Sequence, residues 1–474
     1  MAVQENNKMQ YELNDVVPAG VFRTYDIRGP VMPDAISSSL AYYIGLAFGG
    51  MALEKDESTV LVGRDGRLTG EAIQGALIQG LCDSGVSVTN IGVVSTPMLY
   101  FATATLPDSA TGVMVTASHN PAADNGFKLV LAGQTLSAEG IQNIYQRIIK
   151  RSFHFDPTGS QQSLSILEEY LAAVVSRIQL KRPLKIVMDC GSGVGAVAGP
   201  EVFRRLGCDV IEMYTEIDGN FPHHHPDPTV LKNLEDIIAK VKDTGADLGL
   251  AFDGDADRIG VVTHLGEVIW PDRQMMLFAQ DVLSRHSGAE IIFDVKCSNH
   301  LPRLIERCGG RAVMYKTGHS LIKAEMKRLN APLAGEMSGH IFFNDDWYGF
   351  DDGVFVAARL CQILAGQSLS ASELFKTLPD SVNTPELKLP MAEDKKANFM
   401  RNLLQKADFG DAQRITIDGL RVDFGWGWAL VRPSNTSPYL ILRFEAEDEG
   451  RLAELQAVMR EQLLALDGTL NLPF

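Results

Sequence analysis

Three aspartates alternate along the segment AFDGDADRIGVV: Asp253, Asp255 and Asp257. In an extended or gently turned loop their carboxylates face one side, where the like charges repel one another. A hard divalent cation would relieve this repulsion, and oxygen-only ligands favour magnesium or calcium. An EF-hand is excluded, because Arg258 and His264 stand where that loop needs glycine and glutamate. A solvated acidic turn is the alternative, but the flanking apolar runs place the loop at a strand end, where α/β proteins bind ligands.

A serine follows another apolar run, in VMVTASHNP. Ser118 is followed by His119, Asn120 and Pro121, which predict a sharp turn directly after a strand. A serine in this position can act as a nucleophile or carry a phosphoryl group, although a plain turn is the alternative. It lacks both glycines of the G-x-S-x-G hydrolase motif. Lys128, ten residues later, is a candidate cation or proton donor for the same site.

Two more polar loops precede or join apolar strands. In AGEMSGHIFF, the alternating groups Glu336, Ser338 and His340 suit a hydroxyl-rich ligand, with a plain turn as the alternative. The second loop, RPSNTSP, places a guanidinium, hydroxyls and an amide between two prolines, which makes a credible phosphate cradle. Its polar members are Arg432, Ser434, Asn435, Thr436 and Ser437. No Walker loop occurs in the sequence.

Two motifs favour other classes of protein. Gly193, Gly195 and Ala198 match a dinucleotide fingerprint after an apolar run, and Glu212 stands near the ribose-binding position, so a NAD-dependent oxidoreductase is an alternative. Such matches are often tight strand-to-helix turns, and this reading leaves the polar loops unexplained. The three histidines at 223–225 resemble a metal site, but adjacent histidines cannot all converge on one ion. A proline-stiffened loop explains them better.

The elements that must position these residues follow an α/β rhythm, in which short apolar runs alternate with amphipathic segments. Runs that predict strands include 58–63, 111–117, 184–190, 246–252 and 289–295, and segments that predict helices include 71–85, 199–207, 233–245 and 299–309. Near the end, 414–447 predicts successive strands joined by short turns, and 449–466 predicts a closing helix. This last pattern is typical of a small α+β domain.

The chain has 474 residues, which suggests about three or four domains. Polar or proline-rich breaks at 151–163 and 377–395, and a weaker one at 264–272, divide it. The expected domains are 1–160, with the Ser118 loop; 161–265, with the three aspartates; 266–378, with the Glu336 loop; and 379–474, with the Arg432 loop.

The formal charge of −16 argues against binding to nucleic acid or to an anionic membrane, because no basic run offsets it. The six cysteines are widely spaced without a C-x-x-C pair, which indicates a reduced protein. The N-terminus lacks the apolar core of a secretion signal, and the longest apolar stretch, Leu40 to Leu53, is too short to span a bilayer. We therefore expect a cytoplasmic protein, as a monomer or weak dimer.

Taken together, these segments resemble the α-D-phosphohexomutase superfamily, most closely its bacterial phosphomannomutase/phosphoglucomutase branch. The motifs that match, in the family's order, are YDIRG (25–29), TASHNP (116–121), DGDADR (253–258), DVKCS (294–298), KTGHS (316–320), GEMSGH (335–340) and RPSNTSP (432–438). The resemblance implies three α/β/α domains with mixed sheets, and a last α+β domain like the TATA-binding protein, around one central cleft.

The resemblance also implies a mechanism. Ser118 would be a phosphoserine that exchanges its phosphoryl group with C1 or C6 of a hexose phosphate, through a hexose 1,6-bisphosphate that is both intermediate and activator. Magnesium would be held by Asp253, Asp255, Asp257 and a phosphoserine oxygen. The residues implied around the reacting groups are Arg28, His119, Lys128, Arg258, His319 and His340, with Lys128, His319 or His340 as the acid/base. Those implied to bind the sugar phosphate are Tyr25, Lys296, Gly318, Glu336, Ser338, Arg432, Ser434, Asn435, Thr436 and Ser437.

Sugar choice depends on the loop GEMSGH. In the family, Glu336 and Ser338 would hold the 3- and 4-hydroxyls, which are the same in mannose and glucose, so both sugars should be accepted. Related phosphoglucosamine mutases tend to carry GEQSGH and DGDGDR, whereas this chain has Met337 and Ala256. This difference favours sugars without an amino group and leaves phosphoglucosamine mutase activity as the nearest alternative.

Overall fold

In the computed structural model of the chain, the apolar runs form four sheets, one in each successive part of the sequence. The structure describes residues 11–13, 16–107, 109–434 and 438–474. Short 3₁₀ helices lie at Ala19–Val21, Val194–Val197 and Leu231–Leu234. Among the described helices, none combines the length and apolar character needed to cross a membrane.

The first sheet has the order β1-β5-β4-β2-β3-β7, with β6 paired to β5. Its strands are β1 (Ile27–Pro30), β2 (Thr59–Arg64), β3 (Ser87–Val93), β4 (Gly112–Val115), β5 (Asp124–Leu131), β6 (Gln134–Thr135) and β7 (Gln161–Ser163), and its helices are α1 (Ser38–Leu53), α2 (Gly70–Asp83), α3 (Thr96–Thr105) and α4 (Ala138–Ile149). Strands β2, β3, β4 and β7 run parallel, and β4 and β5 form an antiparallel pair around residues 116–123. Strand β7 lies just past residue 160, the expected end of the first domain.

The second sheet has the order β12-β11-β10-β8-β9. Its strands are β8 (Lys185–Asp189), β9 (Asp209–Met213), β10 (Leu248–Phe252), β11 (Ile259–Thr263) and β12 (Val268–Ile269), and its helices are α5 (Leu167–Arg177), α6 (Gly199–Arg205) and α7 (Glu235–Thr244). The antiparallel turn between β10 and β11 carries the three aspartates. Strand β12 lies beyond residue 265, because it pairs with β11 of this sheet.

The third sheet has the order β14-β13-β15-β16. Its strands are β13 (Glu290–Asp294), β14 (Arg311–Tyr315), β15 (Leu333–Gly335) and β16 (Ile341–Phe343), and its helices are α8 (Pro271–Leu283), α9 (His300–Arg307), α10 (His319–Leu329), α11 (Gly353–Ala365) and α12 (Ala371–Lys376). Strands β13, β14 and β15 are parallel, and each is followed by a loop that carries polar residues of a candidate motif. Because the carboxyl ends of parallel strands lie at the same edge of a sheet, Lys296, His319 and Glu336 lie at one edge.

The fourth sheet is antiparallel, with the order β17-β22-β21-β20-β19 and β18 paired to β22. Its strands are β17 (Val382–Asn383), β18 (Leu387–Pro390), β19 (Gln413–Ile415), β20 (Leu420–Asp423), β21 (Gly427–Pro433) and β22 (Tyr439–Ala446), and its helices are α13 (Glu393–Lys406) and α14 (Glu449–Leu466). Helices α13 and α14 share a core with one face of the sheet. This arrangement is the α+β unit expected from the sequence.

Alternate residues of the first three sheets enter different apolar clusters, so each sheet is covered on both faces. In β2, Val62 packs in one cluster and Leu61 in another. In β13, Ile292 and Phe293 divide in the same way. The cluster that contains Leu61 and Phe293 also includes strands of the second sheet, so one continuous core joins the first three units. The predicted α/β/α layering is therefore observed.

The glycine turn that resembled a dinucleotide motif packs against protein. Residues 190–195 are buried, and the N–H of Val194 donates to the Gly254 carbonyl at 3.1 Å. Glu212, at the predicted ribose position, pairs with Arg204. This turn therefore packs against the three-aspartate loop and has a structural role.

Candidate active site

Ser118 lies in the turn between β4 and β5, and its side chain points at the three aspartates. Its Oγ donates to Oδ2 of Asp253 at 2.8 Å and lies 3.2 Å from Nδ1 of His119. The residue is only 1% exposed. Its φ of +50° lies in the left-handed region, which non-glycine residues adopt at a cost in free energy. The N–H of Ser118 donates to Oγ1 of Thr116 at 2.8 Å, which holds this turn in place.

Asp253, Asp255 and Asp257 converge as predicted from their spacing. A side-chain oxygen from each lies within 4.8 Å of the others, and all three residues are buried. Among the described residues, no hydrogen-bond donor reaches Oδ1 of Asp255 or Asp257. Burial, with the charges of Asp257 and Asp255, raises the pKa of Asp253 well above its ordinary value. Buried carboxylate oxygens without donors fit a hard divalent cation such as magnesium.

Lys128 supplies positive charge to this cluster from β5. Its Nζ lies 2.6 Å from Oδ2 of Asp255 and also within hydrogen-bonding distance of Asp257. Burial alone would lower the pKa of Lys128, but these carboxylates raise it above its ordinary value. Lys128 in turn lowers the pKa of Asp255 against the effect of burial. The lysine is therefore a protonated, fixed cation at neutral pH.

Arg258 and the two histidines form the opposite wall. The Nε–H of Arg258 donates to Nε2 of His340 at 3.0 Å, and the two rings of His319 and His340 stack with centroids 5.4 Å apart. Nδ1 of His340 lies 2.9 Å from Oδ2 of Asp351, a buried carboxylate. Burial, followed by the charge of Lys323, lowers the pKa of His319 well below its ordinary value. His319 is therefore a neutral imidazole at neutral pH.

The first and third units meet beside these histidines. The hydroxyl of Tyr25 donates to the Thr317 carbonyl at 2.7 Å. Gly318 has φ of +140°, and a Cβ there would lie 2.6 Å from the Tyr25 ring, so only glycine fits. The N–H of Gly318 donates to Oε1 of Glu336 at 2.8 Å, and the hydroxyl of Ser338 donates to its Oε2 at 2.8 Å. Burial raises the pKa of Glu336.

The remaining cations come from three parts of the chain. Arg28 donates to Oδ1 of Asn120, next to the serine turn, at 3.1 Å. Lys296 lies 2.6 Å from Oε1 of Glu386. Arg432 donates from Nε to Oδ2 of Asp418 at 3.1 Å.

Asp418 also links the fourth unit to the third, because its Oδ2 accepts from the N–H of Thr317 at 3.1 Å. The carbonyl of Ser434 accepts from Lys396 at 2.8 Å. Asn435, Thr436 and Ser437 lie outside the described residues.

Models of four successive domains match the chain. They are described as phosphoglucomutase/phosphomannomutase α/β/α domains I, II and III, at residues 19–155, 168–266 and 270–382, and as the C-terminal domain of the same family, at 386–462. The chain belongs to the phosphoglucomutase/phosphomannomutase family. The superfamily, fold class and enzyme class predicted from the sequence are thereby confirmed, and the chain is a phosphosugar mutase, an isomerase.

Relatives extend over nearly the whole chain. It is 52% identical to a phosphomannomutase/phosphoglucomutase of Pseudomonas syringae pv. tomato, across 97% of this chain and 98% of that protein. It is 47% identical to a phosphoglucomutase of Neisseria gonorrhoeae, across 92% and 95%. A crystal structure of a phosphoglucomutase/phosphomannomutase family protein from Burkholderia thailandensis matches with a TM-score of 0.92 and 45% identity, across 97% of this chain and all of that one.

Within this family fold, the described candidate residues fall into two groups. Ser118, His119, Lys128, the three aspartates, Arg258 and His340 are joined by direct contacts, and Arg28 approaches them through Asn120. A second group extends from His319 and Tyr25 through Gly318 to Glu336 and Ser338. At the edge of the second group, Lys296 binds Glu386 and Arg432 binds Asp418, both carboxylates of the fourth unit.

Several residues of the site were not among the candidates named from the sequence. Thr96 donates to Asp255, Asp351 lies against His340, and Asp418 joins Arg432 to Thr317. Asp294, at the end of β13, accepts from the Lys296 N–H at 3.2 Å and from the Thr317 hydroxyl at 3.1 Å. Only Asp294 had a usable signal, since it opens the DVKCS motif at a strand end.

Proposed function

We propose that this enzyme catalyses reversible phosphoryl transfer between C1 and C6 of mannose and glucose phosphates, through a phosphoserine at Ser118 and a hexose 1,6-bisphosphate. The observation that carries the proposal is the 2.8 Å hydrogen bond from Ser118 to Asp253, in a buried cluster with Lys128 and Arg258. A serine aimed at fixed charges of both signs suits phosphoryl transfer, which depends mainly on positioning and charge stabilisation.

Each half-reaction exchanges one bond to phosphorus. The bond between Oγ of phosphorylated Ser118 and phosphorus breaks, a bond from a sugar hydroxyl oxygen to the same phosphorus forms, and the hydroxyl proton moves to a basic group. The resulting 1,6-bisphosphate turns over in the cleft. Its other phosphoryl group then returns to Ser118, which regenerates the phosphoenzyme and releases the isomeric monophosphate.

The carboxylates of Asp253, Asp255 and Asp257, with a phosphoserine oxygen, are the proposed ligands of Mg²⁺. When bound, this ion supplies positive charge next to the phosphoryl oxygens. Lys128, Arg258 and Arg28 are placed to neutralise the charge of the same phosphoryl group from other sides.

For the proton, we favour His319 as the acceptor. Its imidazole is neutral at neutral pH because its pKa is lowered, and a neutral ring can accept a proton. Lys128 remains protonated and therefore suits donation, and His340 uses Nε2 to accept from Arg258. His119, with Nδ1 beside Ser118 and a pKa lowered by burial and by Arg258, can contact the leaving oxygen.

For the sugar, we propose that Glu336 and Ser338 hold the 3- and 4-hydroxyls, with Tyr25, Gly318 and Lys296 lining the same side. The phosphate that does not react would be held by the loop that contains Arg432 and Ser434, together with Asn435, Thr436 and Ser437 of the sequence. This loop belongs to a different unit from Ser118, which suits an intermediate that must exchange its two phosphates.

Phosphoglucosamine mutase activity, with the same chemistry, is the second candidate. Met337 and Ala256 favour the sugars without an amino group. We favour four domains near the expected divisions 1–160, 161–265, 266–378 and 379–474, with the first extended to include β7 and the second extended to include β12. We also favour a monomer or weak dimer. We also place the enzyme in the cytoplasm, since its six cysteines are free thiols.

A coupled assay of mannose 1-phosphate, glucose 1-phosphate and glucosamine 1-phosphate tests the proposal. We expect comparable turnover of the first two sugars and little of the third. In parallel, the purified enzyme should be partly phosphorylated, with a species whose intact mass is shifted by one phosphate. Ser118→Ala should lack both this species and the activity. Full activity of Ser118→Ala, or phosphate mapped to another residue, would overturn the proposal.

A further inference from the structure

Arg67 is a buried arginine close to Ser118 that none of the site motifs includes. It is 1% exposed and follows β2 in the loop GRDGR. Its guanidinium donates to four backbone carbonyls of the serine turn, those of Ser118 at 2.7 Å, Asn120 at 2.8 Å, Pro121 at 2.6 Å and Asp124 at 2.9 Å. One side chain therefore gathers the whole turn around Ser118.

Asp65 completes the hydrogen bonding of Arg67. Its Oδ2 accepts the Nε–H of Arg67 at 3.2 Å, so all five N–H donors of the guanidinium are used. The same Oδ2 accepts from the hydroxyl of Thr116 at 2.7 Å, and Oγ1 of Thr116 accepts the N–H of Ser118. A connected polar network thus runs from Asp65 to both the N–H and the carbonyl of Ser118.

The second unit covers this network from the other side. The ring of Phe221 lies under the guanidinium, with Cζ of Arg67 5.4 Å from the ring centroid. Nε2 of His225 donates to the His119 carbonyl. The three histidines at 223–225 have three separate partners, because His223 stacks on Tyr214 and His224 pairs with Asp189 at 2.9 Å. The histidine loop therefore contacts the serine turn through His225, while its other two histidines bind within the second unit.

We propose that Arg67 is a positioning residue that holds Ser118 in its left-handed conformation and so aims Oγ at the acidic cluster. The proposal rests on the role of Ser118 as phosphoryl carrier. The left-handed backbone conformation of Ser118 costs free energy. The four hydrogen bonds from Arg67 to backbone carbonyls compensate for that cost only if the N–H donors stay in the plane of one guanidinium. A lysine keeps the charge of Arg67 but offers three donors from one point, which cannot reach four carbonyls.

Arg67→Lys therefore tests geometry separately from charge. We expect kcat to fall on the order of 100-fold, since small misplacements of a reacting group have effects of that size, while KM stays within about twofold. Incubated with glucose 1,6-bisphosphate, the variant should still take up about one phosphate per chain, but slowly. A variant that was only partly folded would instead take up less phosphate at the parent's rate.

Two further variants complete the experiment. Arg359→Lys removes a guanidinium that is also buried, but pairs with Asp281 and Asp345 away from the turn, and should leave kcat unchanged. Phe221→Leu keeps Arg67 and removes only the aromatic ring that packs against its guanidinium, at a partly exposed position. If Arg67→Lys fails to fold, Phe221→Leu still tests the positioning role, because it should lower the rate of phosphate uptake several-fold.

The outcomes separate the two proposals. The positioning role is wrong if Arg67→Lys folds and keeps the parent's kcat and rate of phosphate uptake. It is also wrong if Arg67→Lys does not fold and Phe221→Leu takes up phosphate at the parent's rate. If Ser118→Ala stays active, the phosphoserine mechanism itself is wrong. Slow but complete uptake in Arg67→Lys, beside an inactive Ser118→Ala, supports both.

Discussion

At the scale of single residues, the site is a balance between buried charges of opposite sign. Lys128 and the three aspartates are each unfavourable in a buried position, but together they offset one another. Within the described part of the chain, one oxygen each of Asp255 and Asp257 receives no hydrogen bond, and both residues belong to this cluster. The acidic loop is thus held against one fixed cation, Lys128 of β5, and the affinity of its carboxylates for a metal ion depends on that charge.

Asp255→Asn should weaken Mg²⁺ binding and lower kcat roughly 100-fold, because one ligand charge is lost while the shape is kept. Isothermal titration with MgCl₂ gives the affinity, and the coupled assay gives kcat. Asp209→Asn, on an exposed position of β9, is the matched control and should behave as the parent. An enzyme that stays active after treatment with a chelator would contradict the metal site.

The sequence singled out Ser118 and the three aspartates as candidates, because they lie in polar loops next to apolar strands, and the structure brings their side chains together. It was not sufficient for Asp351, which meets His340 and Lys323 only through the fold. Arg67 was missed for a similar reason. Its partners are backbone carbonyls, and no residue pattern in a sequence marks a carbonyl that needs a donor.

At the scale of elements, helix α11 begins at a carboxyl group with an altered pKa. Asp352 caps this helix by accepting from the Phe355 N–H at 3.0 Å, and the hydroxyl of Tyr170 donates to it at 2.9 Å. Burial raises the pKa of Asp352 from 3.8 to about 7. The folded chain therefore binds more protons than the unfolded chain between these values, so stability falls as the pH rises through this range.

Asp352→Asn keeps the cap but cannot ionise, so its Tm relative to the parent should increase between about pH 5 and pH 8, by roughly 2–4 °C. Differential scanning calorimetry at both pH values measures this change. The control Asp448→Asn, at the exposed cap of α14, should show no such increase. A constant difference for Asp352→Asn would mean that the carboxyl is ionised throughout.

Helices α1 and α2 cross at glycines. A Cβ on Gly80 would lie 2.0 Å from the Tyr42 carbonyl oxygen, so Gly80→Ala should destabilise the protein by about 1–3 kcal/mol through overpacking. Gly75→Ala on the same helix meets no neighbour and should stabilise it by about 0.5–1 kcal/mol. Chemical denaturation measures both. Equal effects of the two changes would contradict the tight crossing.

The periodicity predicted most central strands and helices, for example β10 within 246–252 and α14 at Glu449–Leu466. The apolar stretch from Leu40 to Leu53 was only excluded as a membrane span, and it forms α1. Its glycines resemble helix breakers in a sequence. Their role depends on a partner helix, so it could not be predicted locally.

At the scale of the whole molecule, the fourth unit joins the third through a polar contact around one aromatic ring. Trp428 is buried, and Cζ of Arg421 lies 3.6 Å from its ring centroid. Arg421 donates to the Cys297 carbonyl at 2.8 Å, and Arg443 donates to the carbonyl of Lys296. The loop with Lys296 is thus anchored directly to the fourth unit, which also carries Arg432 of the proposed phosphate loop.

This link leads to the last prediction. Arg432→Ala should raise KM for sugar phosphate, because the proposed phosphate contact would be made in the ground state as well as the transition state. It should also increase the release of hexose 1,6-bisphosphate, which chromatography of the reaction mixture measures. Phosphorylation of Ser118 should stay intact, since that turn is held by the first two units.

Arg451→Ala, in the same unit but paired with Glu454 on α14, is the control and should keep the parent's KM. Because Arg432 pairs with Asp418, which also accepts from the Thr317 N–H, the change weakens a contact between units and also removes the proposed phosphate ligand. Asp418→Asn separates the two effects, since it weakens the contact and keeps the guanidinium. If Arg432→Ala shows an unchanged KM and no added bisphosphate release, the loop does not hold the second phosphate.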